Sequence, residues 1–225
     1  MKLILRDVCK DVTFNDQRIH ILTNVNMEIR YGEITAIIGS SGSGKTTLLN
    51  IMSLIDRVSS GNYYIGDVNV SSWDDNQKSE FRRAYSSIVF QQYNLVSRLS
   101  SYDNVKLPLL VNRRINSSDR RAIVLESLKR LGMEHRKDHK PSTLSGGEQQ
   151  RIAIARALVN NPATIFADEP TGNVDKGNES IILKAFRDMA EEGRAVIIVT
   201  HSETVRDYSN KVFRLKHGEI SEVVQ

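Results

Sequence analysis

The chain has 225 residues, 40% hydrophobic and 26% charged, a balance ordinary for one large globular domain or a domain with a subdomain. Its formal net charge of +4 permits contact with nucleotides or an acidic membrane surface and argues for neither. The single cysteine, Cys9, excludes an internal disulfide and fits a reducing compartment. No apolar run approaches the roughly 20 residues that span a bilayer, so any work at a membrane needs a separate membrane partner.

Met1–Asp7 is charged and lacks the apolar centre of a signal peptide. Leu3–Val8 and Thr23–Ile29 alternate as strands do, with Cys9 packed at the end of the first. After Tyr31-Gly32 comes a short buried strand, Glu33–Ile38, then a glycine-rich loop, Gly39 to Gly44, and a helix from Lys45 to about Leu54. Asn62–Ile65 and Val68–Val70 read as strands about a turn at Gly66-Asp67.

The middle of the chain is helical. Ser118–Leu131 places Val124, Leu128 and Leu131 on one side and ends at Gly132. A second helix starts at Ser145 and runs to about Asn160, before Pro162. Thr164–Ala167 and Ala195–Thr200 are buried strands. Between them Lys176–Glu191 is amphipathic, with Ile181, Ile182, Ala185, Phe186 and Met189 on one face. Lys211–Leu215 and Glu219–Val224 flank His217-Gly218 as a final hairpin. Strands interleaved with helices predict an α/β fold with a mostly parallel sheet covered on both sides and an antiparallel β flank. An α-helical subdomain, about residues 94–159, is inserted into a core formed by 1–93 and 160–225.

The strongest local signal is Gly39-Ser40-Ser41-Gly42-Ser43-Gly44-Lys45-Thr46, which fits the phosphate-loop pattern G-x-x-x-x-G-K-[ST] between a strand and a helix that continues through Thr47. A triphosphate needs many donors in a small space. Glycines let backbone N–H groups converge on it, and a helix N-terminus adds a favourable dipole. Lys45 supplies a point charge for the β- and γ-phosphates, and Thr46 offers a hydroxyl to Mg²⁺. Ala163–Pro170 then delivers two carboxylates at a strand end. Asp168 is placed to hold Mg²⁺ and Glu169 to polarise an attacking water.

Phosphate loops serve kinases, GTPases, helicases and motors alike. Leu144-Ser145-Gly146-Gly147-Glu148 narrows the class: it resembles the signature motif of ABC ATPases, usually written LSGGQ, with Glu148 at the last position. The same residues are a capping box, Ser145 with Glu148 three positions on, and the two readings are compatible. Further motifs follow the family order. Gln91, after Ile88-Val89-Phe90, resembles the glutamine that touches Mg²⁺ and links core to subdomain. Gly172-Asn173-Val174-Asp175 resembles the D-loop, and His201 the switch histidine at the γ-phosphate. One departure concerns the base. Relatives usually carry an aromatic residue where this chain has Val12, with Phe14 two positions later, so Phe14 is the alternative stacking partner and selectivity for adenine stays open.

The resemblance implies ATP and Mg²⁺ as ligands and a second copy of the chain as partner. Ser145 and Gly147 of one copy would cover the γ-phosphate held by Lys45 of the other. Phe90–Leu99, Asp103–Leu109, Asn50-Ile51-Met52 and His139-Lys140-Pro141 resemble the macrolide-export and lipoprotein-releasing group (MacB/LolD type). That likeness implies a peripheral subunit at the cytoplasmic face of the cell membrane, docked through residues around Tyr93–Leu110 on an integral-membrane permease. The work would be export or extraction of a peptide, lipoprotein or drug. Two other classes stay open: a non-transporting regulatory or stress-sensing complex, and a soluble ABC protein acting on nucleic acid. The latter usually carries two cassettes or a long coiled coil, and no nucleic-acid partner is expected.

Overall fold

The computed structural model describes residues 1–112, 114–172 and 174–223. The chain opens with a long hairpin, β1 (Lys2–Phe14) and β2 (Gln17–Arg30), then β3 (Ile34–Ile38) and α1 (Lys45–Met52). β4 (Ser60–Ile65), β5 (Val68–Asn69), α2 (Asp75–Tyr85) and β6 (Ser86–Val89) follow. Three helices come next, α3 (Ser101–Val111), α4 (Arg120–Arg130) and α5 (Gly146–Leu158). The last part is β7 (Thr164–Asp168), α6 (Lys176–Glu191), β8 (Ala195–Thr200), α7 (Glu203–Tyr208), β9 (Lys211–Lys216) and β10 (Glu219–Val223).

Two sheets result. A six-stranded sheet has the order β10-β9-β3-β8-β7-β6 and is parallel except at the β9–β10 hairpin. A four-stranded antiparallel sheet has the order β2-β1-β4-β5. β6 and β7 are neighbours, so the helices α3 to α5 are an insertion between adjacent strands. The expected α/β architecture with its β flank and helical insertion is what the chain adopts.

The central strands carry apolar side chains on both faces, as a covered parallel sheet requires. Alternation divides them between two cores. Ile165, Ala167, Val196 and Ile198 pack with Val105, Leu109, Val124, Leu128, Ile152 and Phe186 from the helices. Phe166, Ala195, Ile197 and Val199 turn the other way, onto α1 (Leu48, Ile51, Met52) and the antiparallel sheet (Leu3, Leu22, Val25). Phe166 and Phe186 are each 1% exposed or less, a burial worth about 1.5–3 kcal/mol apiece.

Several boundaries differ from the expectation for physical reasons. The first two strands extend into one hairpin closed by Asn15-Asp16, both at positive φ (48° and 60°), the twist-compatible turn for a two-residue loop. Register shifts around Val8, with Asp7 at φ 50°, break the alternation that would have revealed the strand's full length. α1 stops at Met52 because Ser53 caps it and Leu54 turns left-handed at φ 60°. On α6 the buried stripe is Ile182, Ala185, Phe186 and Met189, whereas Ile181, one residue and about 100° round the helix, is 40% exposed. Val224, expected in the last strand, lies outside the described residues.

Candidate nucleotide site

β3 ends at Ile38, and the loop Gly39–Gly44 carries the chain from that strand into α1. Gly44, the residue before the helix, sits at φ 101° and would place a Cβ 3.1 Å from the Ile21 carbonyl oxygen. A Cβ on Gly39 would come within 2.4 Å of the Leu215 carbonyl. Glycine is therefore demanded at both ends of the loop. Lys45 lies across it and donates from Nζ to the carbonyls of Gly39 (2.8 Å) and Ser40 (3.0 Å).

The loop borders a cleft of about 600 Å³ lined by Ser41, Gly42, Gly44, Lys45, Thr46 and Thr47 together with Gln91, Asp168, Glu169, His201 and Ile21. Gly39 and Ser40 open onto a neighbouring depression, and the Ser43 hydroxyl is buried without a partner. The free N–H groups at the start of α1 and the Lys45 ammonium make this an anion site.

β7 delivers the acids. Asp168 closes that strand, and its Oδ2 accepts from the Thr46 hydroxyl at 2.9 Å. Burial raises the Asp168 pKa; the Thr46 hydrogen bond opposes that rise, and the charge on Glu169 adds to it. A hydroxyl, a carboxylate and the amide of Gln91 on one cleft form a hard-oxygen donor set, which suits Mg²⁺. Among the described residues no cluster of three or more His, Cys, Asp or Glu could hold a metal alone, so phosphate oxygens and water would have to complete the shell.

Glu169 follows at φ 44°, a left-handed conformation unusual for a glutamate, fixed by its N–H bonding to the Val199 carbonyl at 2.9 Å. Its side chain is 10% exposed and fully engaged. Oε2 accepts from the Thr200 hydroxyl (2.9 Å) and the His201 N–H (3.3 Å), and Oε1 lies 2.9 Å from His201 Nδ1. An ionised carboxylate only accepts, so Nδ1 carries the hydrogen. Thr200 donates to Glu169 and accepts from the Ser202 N–H at 3.0 Å, a support not singled out from the sequence although it directly precedes His201.

Gln91 leaves the end of β6 just before a left-handed pair, Tyr93 (φ 57°) and Asn94 (φ 49°). Arg156 of α5 clamps that reversal, donating to the Asn94 carbonyl at 2.6 Å and the Tyr93 carbonyl at 2.7 Å. Val12 and Phe14 are 40% and 66% exposed on the hairpin and do not line the cleft, whereas Ile21 does. No sequence signal marks Ile21; its place follows from the hairpin folding back over Gly44.

The Ser145–Glu148 segment is a full capping box. Ser145 Oγ accepts from the Glu148 N–H at 3.3 Å, and Glu148 Oε2 accepts from the Ser145 N–H at 2.9 Å. The Glu148 pKa is lowered, first by that backbone bond and also by Arg136, whose Nε donates to Oε1 at 3.0 Å. Ser145 is exposed, Gly146 half-buried and Gly147 buried, and none of residues 145–148 lines the cleft of its own chain. Gly147 is seated on Asn178, whose amide nitrogen would lie 2.4 Å from any added Cβ. Asn178 in turn is bonded to Asp175, the N-cap of α6, at 3.0 Å from its N–H. Asn173, the other polar residue of this expected loop, lies outside the described residues.

Comparison with known proteins gives one answer. The family model described as ABC transporter matches residues 22–172. The macrolide export ATP-binding/permease protein MacB of Chlorobium luteolum is 43% identical over 216 residues, 96% of this chain. The chain spans about a third (32%) of that relative's length. The lipoprotein-releasing system ATP-binding protein LolD of Francisella tularensis is 39% identical over 223 residues, 99% of this chain and 96% of that one. Among solved structures, the ATP-binding cassette MJ0796 from Methanocaldococcus jannaschii, a dimer in a post-hydrolysis state bound to ADP and Pi, superposes with a TM-score of 0.91 at 38% identity over 99% of both chains.

Proposed function

The chain belongs to the ABC transporter family, as its ATP-binding cassette, and from that premise we propose a division of labour among its residues. The backbone of Ser41–Gly44 and the Lys45 ammonium hold the phosphates of ATP, with Thr46 and Thr47 at the start of α1. Thr46, Asp168 and Gln91 would hold Mg²⁺, which would supply neutralisation of the negative charge that builds on the phosphates. Glu169 accepts the proton of the attacking water. Thr200 and His201 fix its direction, because three bonds converge on its two oxygens.

One observation carries the mechanism: the signature segment does not line the cleft of its own chain. Lys45, Thr46, Asp168, Glu169 and His201 line it, while the Ser145 cap is exposed elsewhere and offers its N–H groups to nothing in its own cleft. An exposed helix start that suits an anion, on a chain whose phosphate loop lies apart from it, suits the nucleotide of a second copy. ATP then joins two copies head to tail, hydrolysis releases them, and the alternation drives a partner. The dimeric state of MJ0796 supports this arrangement.

The partner is an integral-membrane permease. A groove of about 710 Å³ lies beside the β6 end, lined by Phe90, Pro108 and Val111 with Arg82, Arg83 and Arg156. Leu110 and Val111 beside it are 51% and 61% exposed. Apolar and arginine side chains in one groove suit a cytosolic segment carrying apolar anchors and acids. No helix among the described residues is long and apolar enough to cross a membrane. The proposal places the subunit at the cytoplasmic face, powering export or extraction of a peptide, lipoprotein or drug through that permease. Two measurements test it. Lys45→Ala should lose nucleotide binding, and unchanged affinity contradicts the phosphate-loop assignment. The wild type should co-purify with a multi-span membrane protein, and Leu110→Asp with Val111→Asp should release it; retention contradicts the docking surface.

A further inference from the structure

The last residue of the signature segment, Glu148, brings a negative charge to a place that the proposed dimer offers to a triphosphate. Its carboxylate is 16% exposed and lies within one helical turn of Ser145. An unbalanced carboxylate there repels the incoming γ-phosphate and offsets the dipole of α5. Among the described residues, one cation is in contact with it. Arg136, at the end of the short 3₁₀ turn Glu134–Arg136, donates from Nε to Glu148 Oε1 at 3.0 Å.

Arg136 is itself held. Its Nη1 lies 3.3 Å from His139 Nε2, and the His139 carbonyl accepts from the Ser101 N–H (2.8 Å) and hydroxyl (3.0 Å). The neighbouring Lys137 carbonyl accepts from the Tyr102 N–H at 2.8 Å. The segment that follows Arg136 is therefore bonded to the start of α3, while the guanidinium is bonded to the Glu148 carboxylate at the start of α5.

We propose that Arg136 is a positioning residue for the reaction in the dimer: it neutralises Glu148 and keeps the carboxylate folded onto the Ser145 N–H, so that the start of α5 presents net positive character to the nucleotide of the second copy. This rests on the trans assignment of the signature segment. With glutamine at position 148 the capping geometry survives and the charge is gone, so the need for Arg136 disappears with it.

The test uses the full-length chain in a Glu169→Gln background, with Mg-ATP and light scattering to follow the monomer–dimer equilibrium. Arg136→Ala should weaken dimerisation by about tenfold per nucleotide site, about a hundredfold for the pair, with a stronger dependence on salt. Adding Glu148→Gln to Arg136→Ala should restore the parental dimer, and Arg136→Lys should retain most of it. Nucleotide affinity of the separated subunit and the melting temperature control for folding. Dimerisation unaffected by Arg136→Ala overturns the proposal. So does a loss that Glu148→Gln leaves unrepaired, since Arg136 would then serve only packing. Failure of the parent to dimerise with ATP would instead strike the trans assignment itself.

Discussion

Replacing Glu169 by glutamine separates chemistry from structure, because the site tells in advance what the fold loses. The carboxylate accepts three bonds: Thr200 Oγ and the His201 N–H on one oxygen, His201 Nδ1 on the other. A glutamine amide oxygen can keep the first two. Its NH₂ then meets Nδ1, which accepts once the ring changes tautomer. The backbone at φ 44° is untouched. All three charge-assisted bonds become neutral ones, a loss of about 1–2 kcal/mol, or about 2–8 °C in melting temperature for a chain of this size. The proton-accepting capacity disappears altogether. General-base catalysis is worth about 10²–10⁴-fold, so kcat should fall by that factor, or about 3–5.5 kcal/mol in the barrier. Phosphate release under saturating Mg-ATP measures the rate, and light scattering of the same sample should show dimer accumulating. Turnover within about threefold of the wild type would remove Glu169 from the role of base, and a melting temperature lower by 10 °C or more would show that the carboxylate's bonds hold the fold together.

The supporting residues make further predictions. Thr200→Val removes a donor to Glu169 and strands the Ser202 N–H, so it should cost about 1–3 kcal/mol of stability and about tenfold in kcat, while Thr200→Ser restores both; a valine variant with wild-type turnover contradicts the positioning of Glu169. Gly44→Ala forces a Cβ into a left-handed residue 3.1 Å from the Ile21 carbonyl and should cost about 1–2 kcal/mol, with weaker nucleotide binding; a variant as stable as the parent contradicts the stated geometry. Asp168 has a raised pKa, so its protonated form is favoured by folding. The stability it contributes is present below pH 3.8 and lost as the pH rises through its folded pKa, because its half-buried position disfavours the charged form. Asp168→Asn should therefore melt higher than the parent without nucleotide at pH 7, and lose the stabilisation given by Mg-ATP; lower melting without nucleotide refutes the burial cost. Glu148 has the opposite sign. Its pKa is lowered, so its contribution is present above pH 4.5 and lost as the pH falls through its folded value. Glu148→Gln should flatten that acid limb of the stability curve, and an unchanged limb refutes the assignment.

What the sequence made legible was whatever is encoded locally. The phosphate loop, the acidic strand end and the Ser145 cap each depend on a few adjacent residues, and Lys45, Thr46, Asp168 and Glu169 meet in one cleft. The parallel sheet was readable because β7 and β8 are continuous apolar runs. Less visible were α2, whose only buried residue is Lys78, and α3, which carries Pro108 inside it; neither shows a clean apolar stripe. Contacts between distant segments were silent. Arg136 meets Glu148, Asn178 meets Gly147 and Ile21 reaches the cleft only through the packing of separate elements. The strand carries Phe14 to the exposed tip of the hairpin, a placement that its position along the sequence does not reveal.

The helical insertion has both ends pinned on β6 and β7, strands that are already hydrogen-bonded to each other. A segment anchored this way can lengthen at little thermodynamic expense, since doubling a closed loop adds only about 0.6 kcal/mol. The surface proposed to meet a permease can thus be resized or reshaped over generations while the candidate hydrolytic centre at the strand tips stays in register, which would give one engine the freedom to acquire many different loads.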